Sequence, residues 1–263
     1  MRRFGHIVWP ACEDRRGGLS GAGSARHLRS RAHRAQRGAR IVPARPGHYT
    51  FPTMTTAAEA LLRLKEGNRR FVERLRNHDA PLGGSPCIRL TQEQKPFAII
   101  LGCSDSRVPA EIVFDQGLGE LFVIRVAGNI VAPSLIGSVE FAAEQFGTRL
   151  VVVLGHSRCG AIQTTLEQLR RPAENQSPNI RSIVDRVRPS IEGLLNTELR
   201  HDEDALVRQA VRANVGVSVS HLRYGSDVLE RLIQSDGLAV VGAEYSLESG
   251  EVEFFDSADA TAA

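Results

Sequence analysis

At 263 residues and 42% hydrophobic content, the chain has room for one large domain or two small ones and enough apolar sequence for a substantial core. Its net charge of +3 is unevenly placed: residues 1–53 hold eleven arginines against two acids, a balance of +9, which leaves residues 54–263 at −6. That mildly acidic body gives no electrostatic reason to expect nucleic acid or an anionic membrane as partner, and no apolar run approaches the roughly 18 residues of a membrane helix.

Residues 1–53 are rich in Arg, Gly, Ser, Ala and Pro and lack hydrophobic periodicity. Such a segment cannot bury enough surface to offset its ordering entropy, so it is read as a disordered tail ahead of a domain over 54–263. Its Arg-rich, acid-poor composition also suits an organellar targeting segment or a nucleic-acid arm, and Met54 is an alternative start. Four cysteines without regular spacing do not describe a disulfide scaffold; a reducing, cytoplasmic setting is expected, with Cys12 and Cys87 lying in a tail and a loop.

Thr55 and Thr56 can cap a helix over 57–77, with Leu61, Leu62, Leu64, Phe71, Val72 and Leu75 forming its apolar stripe. After a Gly/Pro-rich loop at 79–86 come a strand at 97–102, a short helical stretch near 110–114, a strand at 121–126 and a helix over 134–146 that stops at Phe146-Gly147. A strand at 150–154 leads into a helix at 160–169. Helices are predicted near 180–196, 203–222 and 226–235, then strands at 238–245 and 251–255. This alternation predicts an α/β fold, a mainly parallel central sheet flanked by helices.

The two most apolar strands end in chemistry. Cys103, Asp105 and Arg107 follow the first, and His156 and Cys159 follow the second. Sites of open α/β sheets gather beyond the carboxyl ends of the strands. Zinc takes thiolate and imidazole ligands tetrahedrally, and a catalytic zinc usually keeps three protein ligands and one open position, which Cys103, His156 and Cys159 can satisfy. Cys159 would also open a helix, whose N-terminus favours the thiolate. Arg107 can grip Asp105 bidentately, fixing a carboxylate that could orient a metal-activated hydroxide or, if released, occupy the open position and switch the site off. Taken singly, each cysteine could be a core hydrophobe, Asp105 and Arg107 a surface ion pair, and the two cysteines a disulfide; it is their shared spacing that favours a metal centre.

Cys103-x-Asp105-x-Arg107 and His156-x-x-Cys159, with their flanks Gly102, Val108, Pro109, Gly155 and Gly160, resemble the β-class carbonic anhydrases from about Ala57 to Phe255. The resemblance implies reversible hydration of carbon dioxide to bicarbonate and a proton, with one zinc per chain on Cys103, His156 and Cys159 and a catalytic dyad of Asp105 and Arg107. It further implies that Gln94 orients substrate and that Phe122 and Phe141 line an apolar carbon dioxide pocket, Phe141 acting from a partner subunit. A homodimer or homotetramer is implied too, with the N-terminal helix lying across the partner. The family's bicarbonate-controlled subgroup carries a tryptophan where this chain has Ile100, although Arg125 and Tyr245 match its other positions, so an open site is expected. Rival readings are a carbonyl sulfide or carbon disulfide hydrolase on the same site and a non-catalytic structural zinc protein. Neither a Cys-x5-Arg phosphate cradle nor a Gly-rich nucleotide turn is present.

Overall fold

The computed structural model describes residues 55–76, 94–172 and 177–255. The tail at 1–53, the loop at 79–86, Cys12 and Cys87 lie outside the described residues.

The N-terminal helix α1 (Ala57–Arg76) begins as its sequence requires. Thr56 Oγ1 accepts from the Glu59 N–H at 3.2 Å while the Glu59 carboxylate accepts from the Thr56 N–H at 2.9 Å, a reciprocal cap. Leu61, Leu64, Phe71 and Val72 are buried, whereas Leu62 and Leu75 are exposed, so the predicted stripe is narrower than drawn.

Strand β1 (Ala98–Gly102), helix α2 (Ala110–Val113), strand β2 (Leu121–Arg125), helix α3 (Pro133–Gln145), strand β3 (Leu150–His156) and helix α4 (Gly160–Arg170) follow in order. Helices α5 (Pro178–Ile191), α6 (Glu203–Tyr224) and α7 (Asp227–Ser235) then precede strands β4 (Ala239–Tyr245) and β5 (Val252–Phe255). Proline at the start of α3 and Gly147 at φ +65° just past its end mark the boundaries that the sequence signals. The helix predicted to run to 196 ends at Ile191 and tightens into a 3-10 stretch, Glu192–Asn196. Pro189 lies in the last turn of α5, where it has no N–H for the helical ladder and crowds the turn before it.

The sheet has the order β2-β1-β3-β4-β5, parallel except for β5, which pairs antiparallel with β4. Every residue of β1 and β3 is buried, as strands covered on both faces must be. Ile100, Val152 and Tyr245 face the layer that holds Leu64 and Phe71 of α1, while Ile99, Leu101, Val151 and Val153 face the layer of α3, α6 and α7. Helix α1 thus lies on its own chain's sheet. Asn68 donates to the Val113 and Gly250 carbonyls at 3.0 Å each and accepts from the Val252 N–H at 2.9 Å, and Asp115 is held by Arg70 at 2.6 Å and by Arg74.

Helix α6 comes unusually close to the sheet. A Cβ built on Gly155 would stand 2.6 Å from Val215 Cγ2, and one on Gly242 would stand 2.9 Å from Val215 Cγ1. The two glycines let one valine of α6 sink between β3 and β4, and this approach fixes the helix beside the carboxyl ends of the strands. Among the described residues no helix is long and apolar enough to cross a membrane.

Candidate metal centre

Gly102 of β1 pairs with Leu154 of β3, so Cys103, one residue further on, and His156, two residues further on, leave the sheet at the same edge. Cys159 precedes α4 with extended backbone, φ −65° and ψ 117°, which turns its side chain back toward that edge. The Cys103 and Cys159 sulfurs stand 4.0 Å apart, and the donor atoms of Cys103, His156 and Cys159 all lie within 4.8 Å of one another. Both cysteines are free, so the disulfide reading fails.

These residues fit zinc. Tetrahedral bonds of about 2.3 Å place two thiolate sulfurs roughly 3.8 Å apart, close to the spacing found. His156 is fully buried, its Nδ1 lies 2.9 Å from the Ser157 carbonyl oxygen, and its Nε2 has no hydrogen-bond partner. With the Nδ1 proton donated to that carbonyl, Nε2 presents a lone pair toward the sulfurs. A buried nitrogen without a partner is costly unless something takes that pair, and a metal ion does.

Protonation in the cluster is shared. The Cys159 thiol, donating to Cys103, outweighs the cost of burial and holds the Cys103 sulfur as a thiolate, pushed down to about 4. Conversely, Cys159 is pushed up by that same hydrogen bond and by burial, against the N–H groups of Ile162 and Ala161 at the start of α4. The helix N-terminus therefore favours the Cys159 thiolate, but a neighbouring thiolate overrides it; only a cation between the sulfurs stabilises both in the charged form.

Asp105 and Arg107 form the pair that their spacing suggests. Arg107 Nε donates to Asp105 Oδ1 at 2.9 Å, Nη2 donates to Oδ2 at 2.7 Å, and the Arg107 backbone N–H adds a third bond to Oδ1 at 2.9 Å. The guanidinium hydrogen bonds hold the Asp105 carboxyl well below the usual carboxylate range, against a smaller opposing effect of burial. Asp105 Oδ2 stands 3.9 Å from His156 Nε2, which puts the carboxylate at the metal cluster.

Around this centre lie positioning contacts that the sequence did not announce. Arg125, at the end of β2, donates to the Cys103 carbonyl at 3.0 Å and the Asp105 carbonyl at 2.5 Å, tying down the loop that carries the first sulfur and the carboxylate. Ser157 Oγ donates to Glu248 at 2.7 Å and accepts from the Leu247 N–H at 3.0 Å, so the turn bearing the His156 partner carbonyl is anchored to the β4–β5 hairpin.

Phe122 and Phe141 meet, with ring centroids 6.3 Å apart, and Phe146 completes the cluster at 5.9 and 5.7 Å. Phe122 and Phe146 pack against the layer of Val139 and Val219, whereas Cys103 and Cys159 pack with Ile130, Ile162 and Leu206. Gln94 is exposed on the approach to β1. Tyr245 is buried with its ring 6.5 Å from Phe71, and Ile100 is buried in the sheet.

A family model described as carbonic anhydrase matches residues 98–252, which contain all three donors and the dyad. The chain belongs to the β-class carbonic anhydrases. It is 40% identical over 190 residues to a carbonic anhydrase of Mycolicibacterium smegmatis, covering 72% of this chain and 89% of that one. It is 37% identical over 204 residues to carbonic anhydrase 2 of Mycobacterium tuberculosis H37Rv, covering 77% and 94%. Among solved structures it is similar to the β-carbonic anhydrase CafA of Aspergillus fumigatus, with a TM-score of 0.59 and 25% identity over 76% of this chain and 90% of that one. Family and donor set together make this chain a zinc lyase of carbon dioxide hydration. Neither the sulfur-analogue hydrolase nor the structural zinc protein finds support.

Proposed function

We propose that this carbonic anhydrase binds one zinc through Cys103, His156 Nε2 and Cys159 and interconverts carbon dioxide and bicarbonate with Asp105 and Arg107 as its dyad. Zinc supplies Lewis acidity that makes water a nucleophile near neutral pH. Asp105 stays ionised there, because Arg107 holds it low, and as an ionised acceptor beside His156 it could take a hydrogen bond from that nucleophile and orient it. Arg107 keeps Asp105 in place with three bonds, two of them from its guanidinium, and would thereby also keep it from the metal. The observation that carries this reading is the gripped carboxylate 3.9 Å from an otherwise partnerless imidazole nitrogen.

Carbon dioxide is apolar and cannot be held by charge. Phe122 and Phe141 serve as its apolar wall and Gln94 as a polar guide, with Phe141 acting across a contact with a second copy. Support for that contact comes from the 52% exposure of Phe141 and from β2, which stands at the edge of the sheet formed by the described residues. Self-association as a homodimer or homotetramer is the corresponding assembly, and any part of α1 in the contact belongs to this same proposal. Two similar β-carbonic anhydrases of Sordaria macrospora are tetrameric. Free, closely spaced thiols fit a reducing cytoplasm or organelle.

The decisive variants are Asp105→Asn and Arg107→Ala. Each keeps its zinc and loses about 10²–10³ in kcat, as removal of one oriented polar group from a reacting centre does. Stopped-flow hydration on protein of measured zinc content reads both quantities. Near-normal turnover in both variants removes the dyad from the mechanism, and full zinc retention in Cys159→Ala removes the ligand assignment.

A further inference from the structure

Two polar side chains of α6 are buried where the apolar face of the helix meets the sheet: Asn214 is 2% exposed and Ser218 is 3% exposed. They lie one turn apart, flanking Val215, the residue that sinks toward Gly155 and Gly242. A buried amide and a buried hydroxyl are costly unless paired. Both find partners in one place: Asn214 Nδ2 donates to the Gly128 carbonyl at 2.8 Å, and Ser218 Oγ donates to the Asn129 carbonyl at 3.1 Å.

That place is an unusual piece of backbone. Gly128 has φ +72° and ψ 20°, and Asn129 follows with φ +42°. Consecutive left-handed residues are rare outside glycine and asparagine, and they turn successive peptide groups in directions that ordinary loops do not reach. Crowding adds to the requirement for glycine, since a Cβ at position 128 would stand 3.1 Å from the Ala161 Cβ of α4. The outcome of this geometry is a single contact: the Gly128 N–H points at the Cys103 sulfur, 3.4 Å away.

We propose that Asn214, supported by Ser218, is a positioning residue of the metal centre, holding the Gly128–Asn129 turn so that the Gly128 amide hydrogen-bonds the Cys103 thiolate. The proposal rests on the metal reading above and concerns what the second layer of residues does to it. An N–H donor at a thiolate withdraws electron density from the sulfur, leaving it a weaker donor to the cation and the cation a stronger Lewis acid. A site with two thiolates and one imidazole is electron-rich, so the donor at Cys103 offsets part of that charge. Asn214 touches neither substrate nor metal; it acts across Gly128, holding the carbonyl of the peptide that follows its Cα while the N–H of the peptide that precedes it meets the sulfur.

Cobalt-substituted protein tests this, because a thiolate bound to cobalt(II) gives a near-ultraviolet charge-transfer band whose energy follows the electron density on sulfur. Asn214→Leu, which keeps the side-chain size and removes the donor, should move the band to longer wavelength. Ser218→Ala should move the band in the same direction by less. Val219→Ala, a cavity on the same helix away from the turn, should lower stability and leave the band where it is. If Asn214→Leu does not fold, Ser218→Ala is read in its place. A parent protein without any thiolate charge-transfer band defeats the metal reading itself. A parent with the band, whose position stays fixed in the folded variants, overturns the role of Asn214 whatever happens to stability or affinity.

Discussion

Removing the metal should destabilise this protein by an amount that the structure sets. In the metal-free site the buried His156 Nε2 makes no hydrogen bond of normal geometry, only an electrostatic contact with the Cys103 sulfur, and leaving such a group poorly paired costs at most about 1–3 kcal/mol. The two sulfurs, 4.0 Å apart, add a proton-sharing arrangement that keeps one thiol in a place built for a second thiolate. Free zinc at about a thousand times its dissociation constant stabilises a native state that alone binds it by about 4 kcal/mol. For a domain of this size each kcal/mol moves the melting temperature by roughly 2–4 °C, so the zinc-loaded and chelated proteins should differ by roughly 8–16 °C. The assay is thermal unfolding followed by circular dichroism, first with a strong chelator and then across a zinc titration. The melting temperature should climb with the logarithm of free zinc once sites are filled. His156→Ala should abolish most of that climb while leaving the chelated protein close to wild type, since it removes both the ligand and the stranded nitrogen. Equal melting temperatures with chelator and with excess zinc would refute the reasoning, because a site that gains nothing from the ion cannot have been shaped by it.

Other outcomes follow from the same contacts. Gly155→Ala drives a Cβ to 2.6 Å from Val215 and should cost about 1–3 kcal/mol in chemical denaturation, through displacement of α6; an unchanged midpoint would show that the helix yields freely. Burial works against the Asp115 charge, but Arg70 and Arg74 of α1 prevail and hold its pKa below the ordinary carboxylate value. The contribution of Asp115 is therefore present above its unfolded-state pKa and is lost as pH falls through its lower native value. Asp115→Asn, which tolerates the left-handed backbone at φ +49°, should lose about 1–3 kcal/mol near neutral pH, with the gap to wild type closing in acid; a pH-independent gap would assign the effect to shape. Bicarbonate should inhibit without cooperativity, since Ile100 is buried and cannot donate a hydrogen bond to an anion. Cooperative inhibition, with an Asp105 oxygen at roughly 2.0–2.2 Å from zinc, would establish a closed resting site.

Much of this protein is written locally. Continuous apolar runs ending in glycine specify buried parallel strands, and ligands placed just past them must emerge at one edge, so Cys103, His156 and Cys159 can be read from spacing alone. Asp105 and Arg107 are equally local, their pairing needing only two residues of chain. The tertiary structure decided what depends on distant segments. It set how far the α1 stripe extends, and it brought the Phe122 and Phe141 rings to 6.3 Å of each other. It also set a second, opposing influence on Cys159 beside the adjacent helix end: the Cys103 sulfur, remote in sequence, which pushes the thiol up. Asn214, Ser218 and the loop contacts of Arg125 were illegible for the same reason: each acts on backbone carbonyls, and a carbonyl has no sequence signature. Sequence names the atoms that could hold the metal, whereas packing decides how those atoms are aimed, since aim depends on contacts between segments 20 to almost 90 residues apart.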